Sequence, residues 1–304
     1  MADNDKAHDK QVDEVTGTET TGHSWDGIKE LDTPLPRWWL TIFYGTIVFA
    51  IVYTILYPAW PMVNSATGGV LGWNSRTAIQ EAMAEREAQN ADLIEGIKTS
   101  SVSKVVADDS LRQYAIAAGR AAFKVNCVQC HGSGAEGGPG YPNLNDDDWL
   151  WGGTPEAIET TLMHGIRYVQ DDETRISEMP AFGRDGILEH DQIQDVAWYV
   201  RKLSGQSAEA DAAARGETVY ADNCAACHGE NGEGLQDLGA PALNDAIWLY
   251  GGTHADIVAQ VTAPRHGVMP AWGDRLGETT VKELAVYVHS LGGGVSPDEM
   301  AAAQ

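Results

Sequence analysis

The sequence predicts an all-α protein: one membrane-spanning helix followed by two tandem helical domains of the same fold. Three observations predict it. A run of 20 residues near the N-terminus carries no charge, six sequence blocks recur in one order across the C-terminal part, and all 4 cysteines fall in two copies of C-x-x-C-H. The length of 304 residues suits two small domains with appendages. Hydrophobic residues at 43% and charged residues at 21% are ordinary for globular protein. Lys plus Arg is 20 against 44 Asp plus Glu, a formal charge of −24. Such a surface repels phosphate backbones, which excludes nucleic acid as a partner and favours a cationic one. Four cysteines are too few for a disulfide scaffold of this size.

Taken in order, the polar segment 1–33 reads as a tail, disordered over 1–30. The anchor, 34–62, contains Trp38 to Tyr57, WWLTIFYGTIVFAIVYTILY. At about 1.5 Å per residue this run spans about 30 Å, the thickness of a bilayer's hydrocarbon core. Trp38 and Trp39 at one end, and Tyr57 and Trp60 at the other, supply the interfacial aromatic belts. Pro58 and Pro61 end the helix. A cleaved signal peptide would begin sooner and have a shorter apolar core, and a buried core helix would carry a polar face. Lys29 and Arg37 on the N-terminal side, against Arg76 on the other, favour a cytoplasmic N-terminus by one residue. Segment 63–109 is a Gly- and Ser-containing linker over 64–74, then an amphipathic helix from Ser75, the candidate N-cap, to about Lys98. Ile79, Met83, Leu93, Ile94 and Ile97 form its apolar positions. It serves either as a spacer or docking helix or as a solvated helix without a partner.

The repeat then occupies 110–206 and 207–293. Gly119 to Phe123 precedes CVQCH at 127–131, and Gly216 to Tyr220 precedes CAACH at 224–228. YPNLNDDDWLWGGT matches APALNDAIWLYGGT, HGIR matches HGVM, MPAFG matches MPAWG, and VAWYVRKLSG matches LAVYVHSLGG. The first copy carries about 12 extra residues, Arg167–Glu178, between its HG and MP blocks. Two copies of one domain follow from this order. The tail, 294–304, continues a Gly-rich stretch that begins at Gly292 and reads as loose.

Two thiols three residues apart on a helical turn can both bond to one porphyrin, and the adjacent histidine then faces the iron. Cys127, Cys130 and His131, and Cys224, Cys227 and His228, therefore imply two covalently attached haem c groups. A zinc site would need a fourth ligand, and a dithiol redox pair has no use for the histidine. Met179 and Met269 are the only methionines that recur in the repeat, each followed by proline, which holds it extended. The expected axial pairs are His131 with Met179 and His228 with Met269, 48 and 41 residues apart. His164 and His266 also recur, and Met163 neighbours His164, so a bis-His site stays open, above all in the first domain. The carbonyls of Pro142 and Pro241 are candidates to accept the proximal histidines' other N–H. Leu144 and Leu243 would line the haem edge. Gly119 and Gly216 allow close helix crossing, with Phe123 or Tyr220 packing on Tyr199 or Tyr287 within each domain. His190, His254 and His289 have no counterpart and read as surface residues.

The haem half resembles class I cytochromes c, small all-α domains. PLPRWW at 34–39, a single anchor, a spacer helix and two C-x-x-C-H domains with MPAFG and MPAWG together resemble the dihaem subunit of cbb3-type cytochrome c oxidases, the FixP or CcoP type. The resemblance runs from about Gly27 to Gly292. It implies a single-pass subunit of the bacterial inner membrane, with a cytoplasmic N-terminus and periplasmic haem domains. It implies electron entry from a soluble or membrane-bound donor cytochrome c, and exit through a monohaem subunit to the catalytic subunit, where oxygen is reduced to water. It carries Cys127, Cys130, His131 and Met179 onto the first haem, and Cys224, Cys227, His228 and Met269 onto the second. No nucleophile or general base is expected on this chain. An independent membrane-tethered shuttle would share the same haem chemistry. A dihaem peroxidase or a gas sensor would need an open iron position.

Overall fold

The computed structural model describes residues 11–295 and divides between Gln89 and Asn90 into two units. In the first unit, strands β1 (Thr20–Trp25) and β2 (Ile28–Leu31) form an antiparallel hairpin. The turn residues Asp26 and Gly27 both take positive φ, 50° and 85°, the backbone that a two-residue hairpin requires. The disordered reading of this segment is thereby corrected; residues 1–10 lie outside the described part. Helix α1 (Arg37–Leu56) follows, with no residue buried within the chain. Its three threonines turn inward: Thr41 Oγ1 donates to the Arg37 carbonyl at 2.9 Å, Thr46 to Phe43 at 2.7 Å and Thr54 to Ile51 at 2.9 Å. The hydroxyl donors are thus satisfied within the helix, as a bilayer interior demands. The expected helix over 75–98 is two helices, α2 (Ser75–Gln89) and α3 (Ala91–Thr99). Asn74, not Ser75, caps the first of them through hydrogen bonds from the Arg76 and Thr77 N–H groups.

The second unit continues through α4 (Val102–Ala107), α5 (Asp109–Asn126), the single turn α6 (Val128–His131) and α7 (Pro155–His164). After the insertion come α8 (His190–Leu203), α9 (Ala210–Asn223), the turn α10 (Ala225–His228), α11 (His254–Thr262), α12 (Gly273–Leu276) and α13 (Glu278–His289). Capping residues set several starts: the Asp108 side chain accepts from the Ser110 and Leu111 N–H groups, and Thr154 and Thr253 open α7 and α11 in the same way.

The two sequence copies do not close on themselves. The first helix of copy one, α5, packs on the last helix of copy two, α13, while α8 packs on α9. One core joins Phe123, Ile158 and Leu162 to Val281, Leu284 and Val288, with Ile97, Val102 and Val105 beneath. The other joins Phe182, Val196 and Val200 to Tyr220, Ile257 and Val261. The aromatic pairs cross copies accordingly: Phe123 stands 5.4 Å from Tyr287, and Tyr199 stands 5.2 Å from Tyr220. Connector length supplies the physical reason. Only residues 204–209 separate α8 from α9, and elements adjacent in sequence pack together most readily. Both N-terminal helices offer the same glycine at the crossing, Gly216 to α8 and Gly119 to α13. The second body is thus inserted into the first. The chain leaves the first body at Ile166 and returns at Met269, and these two residues exchange main-chain hydrogen bonds of 2.9 and 3.0 Å.

The spacer helix α3 belongs to the first body. Lys282 of α13, only 7% exposed, donates to the carbonyls of Lys98 and Ser100 at 3.1 Å each and pairs with Glu278 at 3.2 Å. A cation thus covers the carbonyl end of α3, where the helix dipole favours it. The chain beyond Gly292 is held as well: Trp149 Nε1 donates to the Gly293 carbonyl at 2.5 Å, and Val295 N–H to the Gly153 carbonyl at 3.0 Å. The loose reading of Gly292 onward is therefore corrected as far as Val295; residues 296–304 lie outside the described part.

Candidate functional site

Each C-x-x-C-H segment is one helical turn set at the end of a longer helix. Cys127 caps α5 through its N–H to the Phe123 carbonyl, and its own carbonyl accepts from Cys130 and His131. Cys224 repeats this with Tyr220, Cys227 and His228. Gly132 and Gly229, both at φ 82°, stop the turns. Cys127 and Cys224 are buried while Cys130 and Cys227 are exposed, and no disulfide joins any of the four. Burial, reinforced by the neighbouring cysteine, pushes Cys127 and Cys224 up to about 11. Such thiols stay protonated at neutral pH, unlike the acidic thiol of a dithiol oxidoreductase.

The imidazoles are oriented from behind. His131 Nδ1–H donates to the Pro142 carbonyl at 3.0 Å, and His228 Nδ1–H to the Pro241 carbonyl at 3.0 Å. Burial lowers the pKa of both rings against that hydrogen bond, so each is neutral and leaves Nε2 free for a metal. The carbonyls inferred from the repeat are the ones used.

The methionines stand opposite to expectation. Met269, not Met179, lines the cavity that holds Cys127 and His131. Met179, not Met269, lines the cavity that holds Cys224, Cys227 and His228. The structure thus brings Met269 into the cavity of His131 and Met179 into the cavity of His228, the reverse of the expected grouping of His131 with Met179 and His228 with Met269. The cause is the helix exchange: each MP block travels with the C-terminal helix that follows it, into the other copy's body. The larger cavity is about 580 Å³, within the usual size of a cofactor site. The smaller is about 90 Å³, with Leu144, Ile158, Leu162 and Leu284 among its walls.

Of the alternative ligands, His164 turns to the insertion, with Nδ1 3.3 Å from Asp171 and Nε2 3.4 Å from Glu173. Met163 packs against the first core, and neither residue lines either cavity. His266 does line the larger one. His254 is not a plain surface residue: it stacks on Trp198 at 4.0 Å and bonds the Gln194 carbonyl at 3.1 Å. His289 likewise bonds the Val295 carbonyl at 2.8 Å. His190 is exposed.

Two residues that the sequence did not single out reach this region. Asp148 lines both cavities. Burial, with Asp245, Asp146 and Asp147 nearby, pushes it up to about 6. Its one signal in the sequence is that copy two has Ile247 in its place. Arg167 lines the larger cavity, and its signal is its position at the start of the insertion.

Among the described residues no group of three or more His, Cys, Asp or Glu side chains could hold a bare metal ion. The donor set is instead two thiols and one imidazole on a turn, faced by a soft thioether across apolar walls. That set fits an iron porphyrin, and its duplication behind a single apolar helix makes this chain a membrane-anchored dihaem c-type cytochrome.

Comparison with known proteins agrees and narrows it. Residues 17–64 match the family model for the N-terminal domain of cytochrome oxidase-cbb3, FixP. Residues 211–288 match that for cytochrome c oxidase, cbb3-type, subunit III, and residues 116–204 that for cytochrome c. The cbb3-type cytochrome c oxidase subunit FixP of Sinorhizobium medicae is 54% identical over 94% of this chain and 98% of its own length. The subunit CcoP of Cereibacter sphaeroides is 56% identical over 90% and 95%. The chain belongs to the FixP/CcoP family of cbb3-type cytochrome c oxidase subunits, and its cofactors are two covalently bound haem c groups.

Proposed function

We propose that this chain is the electron-entry subunit of a cbb3-type oxidase. It takes electrons from a donor c-type cytochrome and passes them towards the catalytic subunit by way of a monohaem subunit. The observation that carries this reading is that each cavity is flanked by a carbonyl-anchored histidine and by a methionine. When bound, the haem supplies one-electron exchange between ferric and ferrous iron. The chain's own residues do the rest. Cys127 with Cys130, and Cys224 with Cys227, anchor the macrocycles. His131 and His228 hold fixed tautomers through Pro142 and Pro241. Met269 and Met179, which line those cavities, would hold the irons through their thioether sulfurs and leave no place for oxygen or peroxide. The mostly apolar walls would limit water at the haem, which favours the ferrous state.

The same reading puts α1 in the bacterial inner membrane, the N-terminus in the cytoplasm and both haem bodies in the periplasm, where covalent haem attachment takes place. The charge of −24 favours a basic donor, whose approach is steered at long range and screened by salt. Purification of the native protein from membranes tests the reading. Two haems per chain, together with copurifying integral oxidase subunits, are expected. A chain isolated without an oxidase would support the tethered-shuttle alternative instead, and peroxide turnover by the purified chain would overturn the closed-site account.

A further inference from the structure

Arg167 opens the insertion and, aligned on the HG blocks, stands where the second copy has Met269. Its backbone is left-handed, at φ 53°, a conformation unfavourable for any residue that carries a Cβ. The side chain shows what that conformation achieves. Nε donates to the Gly267 carbonyl at 2.7 Å, and Nη1 donates to the Ser177 carbonyl at 2.8 Å. Gly267 lies two residues before Met269, and Ser177 two residues before Met179. One planar fork therefore bonds both methionine-bearing segments, each just upstream of its sulfur. The main chain adds to the same tie, since Arg167 N–H donates to the Arg175 carbonyl at 2.8 Å while Ile166 exchanges hydrogen bonds with Met269.

We propose, on the reading that Met179 and Met269 are the sixth ligands, that Arg167 is a positioning residue that clamps both methionine segments at once and so couples the ligation of the two haems. Both acceptors are neutral carbonyls, so the fork acts through geometry. Charged donors strengthen each bond, and the rigid guanidinium fixes the spacing between the two acceptors. A lysine carries its donors on one atom and cannot reproduce that span. The clamp also gives the insertion a purpose: its far end, Ser177, brings the chain back to the arginine that begins it.

The test uses the full-length holoprotein and the variants Arg167→Ala and Arg167→Lys, with Met179→Ala and Met269→Ala as references that mark each haem. Three properties are read: the ferric charge-transfer band from methionine sulfur to iron, carbon monoxide binding by the ferrous protein, and both midpoint potentials. Arg167→Ala is expected to weaken the band, admit carbon monoxide and lower the potential at both haems together. Arg167→Lys is expected to leave at least one haem disturbed. A change confined to one haem in Arg167→Ala, or no change with both haems attached, overturns the clamp. Full recovery of both haems in Arg167→Lys overturns it too, because charge alone would then suffice. That second variant keeps the test available if Arg167→Ala does not accumulate. Failure of the underlying ligand reading looks different: Met179→Ala and Met269→Ala would then leave the band and the potentials untouched.

Discussion

Gly119 sits so close to the main-chain carbonyl of Glu283 that a Cβ built on it would overlap the oxygen. Gly216 meets the carbonyl of Asp195 in the same way. These two contacts are the crossing points of the exchanged helix pairs. Any side chain there must part the helices, and the expected cost is about 1–3 kcal/mol or more. Gly119→Ala should lower the melting point of the body that holds Cys127, and Gly216→Ala that of the body that holds Cys224. Thermal melts followed through each haem's absorption check this; equal effects on both bodies from either variant would contradict the assignment.

The exchange also predicts which haem each methionine serves. Met269→Ala should disturb the haem whose attachment is weakened in Cys127→Ala, and Met179→Ala the haem weakened in Cys224→Ala. Losing the thioether should lower that haem's potential and admit carbon monoxide. Redox titration of the four single variants decides it. If Met269→Ala acts instead on the haem tied to Cys224, the cavity assignment fails.

Glu283 is 8% exposed, and burial pushes its carboxyl up to about 7 from a usual 4.5. Its counterpart in the repeat, Asp195, is paired with Arg215 at 2.6 Å; the residue matching Arg215 in the first copy is Ala118. A carboxyl with a raised folded-state pKa holds its proton more tightly in the native state. Its contribution to stability is then greatest below the unfolded value of 4.5 and declines as pH rises towards about 7. Glu283→Gln should match the parent near pH 4.5 and exceed it at about pH 8 by about 1–3 kcal/mol. Urea unfolding at the two pH values measures the difference, and a variant no more stable at the higher pH would refute the prediction.

Lys282→Met keeps the packed volume of the side chain but leaves the Lys98 and Ser100 carbonyls without their donor. A loss of about 1–3 kcal/mol is expected, with α3 loosening first. Hydrogen exchange at the amides of α3 should quicken more than at those of α11. Uniform quickening across both bodies would show a global effect instead.

Much of the architecture can be read from residue types. An uncharged run flanked by Trp and Tyr marks the anchor, and C-x-x-C-H turns mark both porphyrin attachments. The Pro142 and Pro241 carbonyls follow from repeat spacing, because a short loop after the turn has few places to go. The hairpin at 20–31 is harder to see, although Asp26-Gly27 between Trp25 and Ile28 is a strong two-residue turn signal; the polar composition around it points towards disorder. The methionine partners are hidden for a deeper reason. Two copies with the same glycine groove and the same aromatic contact encode one interface twice, and nothing in either copy says which helix fills which groove. Only the shortness of residues 204–209 bears on that choice. Arg167 is hidden because its acceptors are backbone carbonyls, which carry no residue signature.

The exchange has a consequence for biosynthesis. Cys127 emerges from the ribosome long before Met269 and α13, yet its site is walled and capped by those last-made residues. The earlier pigment centre is therefore the later one to be finished. A polypeptide cut short after His266 retains every wall of the Cys224 centre while lacking the lid of the other. Completion of the Cys127 centre thus reports that translation has reached the end of the helical fold.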